Sequence, residues 1–309
     1  MIVFAALTLA LFSGVQPAPE TIAFTNARIH PVDGPVVERG ILVVRGGKIV
    51  AVGDLPVPAG ARVVDCAGKV IIPGLVDTHS HLGISSRPGV SANNDGNEGS
   101  GPIQPALRAM DAVTPEDPGI RMALAGGLTT VNIMPGSGNA IGGQTVYVKL
   151  RGDTIEAMRI TGETVLGGLK MANGENPKNF NFGSRKAAPA TRMKIHALQR
   201  EQFLKAREYQ AKWAAYQKKK AEDPMAAAPE RDLAMEPLVE VLERRRTVHF
   251  HCHRADDLMS AVRLAEEFGF ELVLQHASEG HRVVDELAAR KANVSLTLVE
   301  APGGKAEVV

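Results

Sequence analysis

Three short apolar runs in this chain lead straight into histidine, and the stretches between them alternate in texture between strand and helix. The first is Pro73-Gly-Leu-Val-Asp77-Thr-His79-Ser-His81, the second Thr247-Val-His249-Phe-His251-Cys252-His253, and the third Glu271-Leu-Val-Leu-Gln275-His276. Apolar runs of this length read as buried strands, and an alternating β/α chain brings parallel strands to end on one rim. Histidines at the strand ends are gathered there with them. Any one of them alone is more often a hydrogen-bonded core residue. The repetition is what points to a metal, because six of the nine histidines fall in these three runs.

Side chains alternate faces along a strand, so His79 and His81 point the same way and suit one divalent ion. In the second run His249, His251 and His253 share a face, but same-face residues climb the strand by roughly 6 to 7 Å. All three therefore cannot hold one ion. His249 lies deepest and belongs to the interior, His251 at the strand end is the ligand, and His253 just beyond it is a substrate contact or a support for the ligands. His276 ends the third strand. Cys252 alternates to the other face and is given no metal role.

A lysine, Lys170, ends the run Glu163-Thr-Val-Leu-Gly-Gly-Leu-Lys170-Met-Ala-Asn-Gly174-Glu175. Burying an ammonium is costly, so residue chemistry alone favours a stem that carries the amine out to solvent. The alternative is an amine inside the site that carries carbon dioxide as a carbamate bridging two metals.

Length and composition exclude other classes. With 309 residues, 44% hydrophobic and 22% charged, the chain is globular and long enough for one large domain or two smaller ones. A net charge of +1 gives no electrostatic case for nucleic acid or an anionic membrane surface. The expected partner is a small-molecule substrate, and self-association is left open. Cys66 and Cys252 are too few for a disulfide framework and read as free thiols.

Met1 to Phe12 is apolar and is followed by small residues and prolines. It is too short to span a bilayer and is expected to be a signal peptide over residues 1–20, although no basic residue precedes it. Export to a periplasmic or extracellular space follows from that expectation, and a cytoplasmic chain follows without it. Residues 21–70 read as short strands at Ile22–Ile29, Gly40–Val44, Lys48–Val52 and Arg62–Cys66, with a hairpin at Arg45-Gly-Gly-Lys48, and are expected to form a small N-terminal β-sandwich.

From residue 71 onward the expectation is one large α/β domain. Gly83 to Pro105 reads as a long flexible loop, followed by a helix from about Asp117 to Ala125 and a buried strand from Thr129 to Met134. Pro135 to Gln144 is a glycine-rich loop without the spacing of a phosphate cradle. Residues 187–245 read as a charged helical insertion beside the main fold, with Trp213, Tyr209 and Tyr216 on a packing face and His196 on a solvated one. Asn293 to Leu298 is counted as about the seventh strand.

Taken together, PGLVDTHSH (73–81), GLTTV (127–131), HCH (251–253) and QH (275–276) resemble the amidohydrolase superfamily, in its imidazolonepropionase-like and Xaa-Pro or Xaa-Arg dipeptidase-like branch. The resemblance runs over nearly the whole chain from about residue 22. It implies a distorted (β/α)8 barrel with a small β-sandwich, here an incomplete TIM-like barrel because the chain ends at Val309 before an eighth strand. It implies His79, His81, Lys170, His251 and His276 as metal ligands, with Glu175 as the rival of Lys170 and Asp77 orienting the histidine pair. The cofactor implied is one or two divalent ions, zinc for this ligand set, although manganese, iron or nickel fit it too. The expected activity is hydrolysis of a C–N bond in an amide, a cyclic amide or a dipeptide-like substrate. The catalytic aspartate of the family ends the eighth strand and is expected beyond Val309. The alternative is a truncated relative that binds metal without catalysis.

Overall fold

The computed structural model describes residues 19–162, 165–183, 186–296 and 307. The expected signal segment up to residue 18 and the end of the last apolar run lie outside the described residues. The chain divides into two units, Met1–Pro73 and Gly74–Val309.

The first unit contains β1 (Thr21–Ile29), β2 (Val37–Arg45), β3 (Lys48–Gly53), β4 (Arg62–Asp65) and β5 (Val70–Ile71). β2 and β3 form the expected hairpin, and Gly46 and Gly47 turn it with φ of 55° and 75°, a left-handed pair that suits two glycines. Where a sandwich portion is expected, the described strands form one mixed sheet in the order β3-β2-β1-β4, with β5 also on β1. β4 aligns with Ile22–Thr25 and β5 with Arg28–Ile29, both parallel to β1, so both extend the same sheet. Ala27, Ile29 and Cys66 are its small core.

The second unit runs β6 (Leu75–Ser80), α1 (Pro118–Ala125), β7 (Leu128–Ile133), β8 (Ile141–Gln144), β9 (Val146–Lys149), α2 (Ile155–Met158), β10 (Leu169–Ala172), α3 (Glu175–Lys178), α4 (Arg192–Glu222), α5 (Glu236–Leu242), β11 (Val248–Cys252), α6 (Ala255–Phe268), β12 (Leu272–His276), α7 (Val284–Ala289) and β13 (Asn293–Leu296). β6 and β7 are parallel, and so are β10, β11, β12 and β13 in succession. The run from Ile141 to Lys149 joins the two groups, β9 pairing with β7 and β8 with β10.

Both of those pairings are antiparallel, which departs from the all-parallel alternation expected from the sequence. The physical reason is the connection: after β7 the chain comes straight back as β8 and β9 with no helix between, so β9 returns beside β7 in the opposite sense. The end of the glycine-rich stretch is thus strand, and Gly143 pairs with Lys170. Gly143 has φ of 121°, and an added Cβ would sit 2.7 Å from the Leu107 carbonyl oxygen, so a larger residue there collides with backbone.

β10 and β11 are buried at every position, as central parallel strands covered on both faces are. α6 packs against β11 and β12 and stops at Gly269, whose left-handed φ of 79° suits a helix C-terminus. The helical stretch expected to lie outside the fold is built into it. Phe203 of α4 is fully buried and stacks on Phe270 with ring centres 4.9 Å apart, while Gln199 donates to the carbonyls of Ala140 and Ala172 at 3.0 and 3.1 Å. Farther along α4, Tyr209, Trp213 and Tyr216 meet edge to face, in keeping with a packing role. His196, expected on a solvated face, is half-buried with its Nε2 shielded, and burial lowers its pKa.

The loop after β6 is tied down rather than free. Asp117 accepts from the backbone N–H groups of Gly83 and Arg87, Asn139 donates to the carbonyls of Glu98 and Gly101, and Asn97 accepts from Gly138. None of the helices among the described residues is long and apolar enough to cross a membrane.

Candidate metal centre

β6, β10, β11 and β12 deliver their side chains to one place. The His79 ring lies 5.2 Å from that of His81 and 4.7 Å from that of His276, and His276 in turn lies 4.5 Å from His251 and 4.7 Å from His253. His251, His253 and His276 can each offer a ligand atom within 4.8 Å of the others. Five histidines from three distant parts of the chain therefore form one cluster. His253 enters it because β11 stops at Cys252, and the chain turns the ring onto His276 with the planes 22° apart.

Lys170 lies among them. It is wholly buried, which overturns the solvent-reaching stem favoured by residue chemistry alone. Its Nζ is 3.2 Å from His79 Nε2 and 3.2 Å from Met134 Sδ. Glu175 opens α3 instead, where its backbone N–H donates to Glu307.

Hydrogen bonds fix how the rings face. His81 Nδ1 is 2.7 Å from the Met134 carbonyl, which can only accept, so Nδ1 carries the proton and Nε2 keeps its lone pair. His79 Nδ1 faces Gln275 Oε1 at 3.0 Å with the same consequence. Asn176 Nδ2 donates to His251 Nε2 at 3.3 Å, and Ser278 Oγ lies 2.8 Å from His253 Nδ1. The orienting contact expected of Asp77 falls elsewhere: its carboxylate accepts the backbone N–H of His79, and the ring is held by Gln275. His249 stays in the interior, as its depth in the strand implies, between Gln275, Asn132 and Tyr147. Cys252 is fully buried, and burial raises its thiol pKa well above the ordinary value, which keeps it protonated.

Charge follows from burial. Burial first, and then the Lys170 charge, push the His79 ring down to about 2, and the same causes push His81 to about 4. Both rings are neutral near pH 7, the state in which an imidazole can be a ligand. The backbone of the cluster is also unusual, because His276 and Ala277 sit at φ of 70° and 48°. A non-glycine residue held there costs on the order of 1–3 kcal/mol and persists only where its surroundings impose it. A cavity of about 370 Å³ opens beside His79 and His81, edged by Ser85, Arg87 and Asp117.

The sequence reading missed Gln275, Met134, Asn176 and Ser278 as supports. Gln275 stands next to a ligand candidate within the QH motif, but a backbone carbonyl such as that of Met134 leaves no signal in side-chain chemistry.

Comparison with known proteins fits this arrangement. No family model matches the chain. It is 33% identical over 264 residues to the amidohydrolase tasK of Hapsidospora irregularis, covering 82% of this chain and 26% of that protein. It is 32% identical over 107 residues to a dihydroorotase of Pelotomaculum thermopropionicum, covering 35% and 19%. The matched stretches thus span about a quarter or less of these two relatives. Among solved structures it is similar to an amidohydrolase from Thermotoga maritima MSB8, with a TM-score of 0.86 and 38% identity, over 93% of this chain and 72% of that one. An α/β fold with a histidine cluster at its strand ends defines the class, and the chain belongs to the amidohydrolase superfamily.

Proposed function

We propose that this chain carries the metal centre of a hydrolase that cleaves C–N bonds in amides, cyclic amides or dipeptide-like molecules. The observation that carries the reading is the convergence of His79, His81, His251, His253 and His276 around the buried Lys170. The donor set fits a divalent cation: His79 and His81 are held neutral with Nε2 lone pairs available, and three further imidazoles lie within reach of one another. His79, His81, His251 and His276 would hold it, with zinc as the favoured ion, one or two per chain. His253, placed by Ser278, would contact the substrate or support the ligands.

A bound divalent cation supplies a Lewis acid for a carbonyl and makes water more acidic. The residues of the chain position that cation and shape the space around it in this reading. Gln275 and the Met134 carbonyl aim the imidazoles, while the loops 83–105 and 135–144 shape the space above them. Lys170, once its amine has added carbon dioxide and released a proton, becomes an anionic carbamate with two oxygens for ligation. Its full burial beside His79 supports that role over Glu175. A (β/α)8-type barrel is the architecture that best accommodates the parallel succession from β10 to β13, and the apolar opening segment supports export.

The direct experiment is turnover by the zinc-loaded chain on a panel of N-acyl amino acids, lactams, hydantoins and dipeptides. Hydrolysis of one class that is lost in His251→Ala supports the reading. Bound metal with no turnover on any class would favour a metal-binding chain without catalysis.

A further inference from the structure

Gln275 is fully buried and touches two histidines that do different work. Its Oε1 lies 3.0 Å from His79 Nδ1, and its Nε2 lies 3.0 Å from His249 Nδ1. A side-chain amide has one accepting end and one donating end, so it must leave the two rings in opposite tautomers. With oxygen toward His79, that ring carries its proton on Nδ1 and keeps the Nε2 lone pair facing Lys170. His249 then accepts on Nδ1 and carries its proton on Nε2. That proton faces the Tyr147 hydroxyl oxygen at 3.3 Å, whereas the Asn132 atom placed 3.2 Å from it is Nδ2, which only donates, so this tautomer requires the Asn132 amide to be turned end for end. Asn132 is buried and its Oδ1 has no hydrogen-bond partner as placed, so turning the amide would give that oxygen the His249 Nε2 proton.

The opposite setting of the amide reverses both rings. His79 would carry its proton on Nε2 and could no longer offer that nitrogen to a cation, while His249 would be protonated on Nδ1. We propose that Gln275 is a positioning residue that commits His79 to its ligand tautomer by tying it to His249, so that the interior trio of His249, Asn132 and Tyr147 reads out the state of the rim. His249 thereby acquires a role that its depth in the strand did not disclose. The amide explains why a fully buried glutamine is placed between two rings: a leucine would fill the space but set neither proton, and a glutamate would accept from both. This rests on the proposed ligand role of His79, and it is tested separately from it.

The test uses the full chain with ¹⁵N-labelled histidine, with and without zinc, and reads each ring's tautomer from its long-range nitrogen–proton correlations at pH 8. Gln275→Glu and Gln275→Leu are compared with the native chain, with circular dichroism as the check on folding. The native chain should show His79 protonated on Nδ1 and His249 on Nε2. Gln275→Glu should move the His249 proton to Nδ1, leave His79 unchanged and retain zinc. Gln275→Leu should leave His249 a mixture of tautomers and weaken zinc binding by about 10- to 100-fold, the usual cost of losing a contact that orients a ligand. An identical His249 tautomer in the native and Gln275→Glu chains overturns the proposal, and so does a folded Gln275→Leu chain with native zinc affinity. A native chain that takes up no zinc would instead remove the ligand role of His79, and the His249 comparison on the metal-free chains would still decide the role of Gln275.

Discussion

The amine of Lys170 lies 3.2 Å from the Nε2 of His79, and neither side chain is where solvent could easily satisfy it: the lysine is wholly buried and the histidine ring is desolvated enough to be held neutral. An amine buried beside an imidazole and a thioether is a costly place for an ammonium and, in the proposed reading, a good one for a group that will be converted to an anion. Zinc-loaded chain equilibrated with ¹³C-bicarbonate should therefore give a carbamate carbon resonance that is absent from Lys170→Met. The same variant should bind less metal. Its metal-free form should be more stable by about 1–3 kcal/mol, since a buried polar group is replaced by an apolar one of similar length. A Lys170→Met chain with native metal content and native stability would remove the lysine from the site.

Acid should destabilise the metal-free chain in a defined window. His81 and His249 are held at about 4, mainly by burial and then by the Lys170 charge, whereas an unfolded histidine titrates near 6.5. The folded state thus binds fewer protons than the unfolded one between those values. Stability is at its full value above about pH 6.5 and falls as pH drops toward about 4, by up to about 1.4 kcal/mol per pH unit for each ring. Urea melts at pH 8, 6 and 5 measure this, and a flat profile across that range would contradict the burial of neutral rings.

Much of this site was legible from the sequence, for a reason that the structure makes plain. Histidine at a strand end is visible in a one-dimensional pattern, because strand period and rim position are both local properties. His79, His81, His251 and His276 were therefore found from spacing and family resemblance, and the interior place of His249 from its depth in β11. What escaped depends on distant contacts. The burial of Lys170 is set by β8 and β11 on either side of it, and the reversed direction of Ile141–Lys149 appears only once β9 is seen to pair with β7 and β8 with β10. The helical stretch at 187–245 was misjudged for a related cause: the charge on its outer face concealed Gln199 and Phe203, which reach the core.

Arg246 should matter to stability more than its surface-like chemistry suggests. It is buried, pairs with Glu240 at 2.6 Å, and donates to the carbonyls of Leu166 and Gly168 just before β10. Removing one partner of a buried pair costs about 3–5 kcal/mol, and the partial exposure of Glu240 places Arg246→Ala toward the lower end. Thermal denaturation of the variant checks this, and a loss below about 1 kcal/mol would mean that solvent replaces the guanidinium.

The core beneath the cluster offers an independent check. Phe250 is fully buried between His249 and His251 on β11, so Phe250→Ala should cost about 3–5 kcal/mol and loosen the cluster with it. Weaker metal binding together with lower stability is the expected result. Unchanged metal affinity in a destabilised chain would separate the cluster from the packing of its strand.

The most direct measurement is metal per chain, by elemental analysis after dialysis against zinc, for the native chain and for the His79→Ala/His81→Ala double variant. Native chain should hold one or two ions, and the double variant, verified as folded, should hold fewer. Equal metal content in the two would show that the paired imidazoles of β6 are not ligands, and the hydrolase reading would lose its foundation.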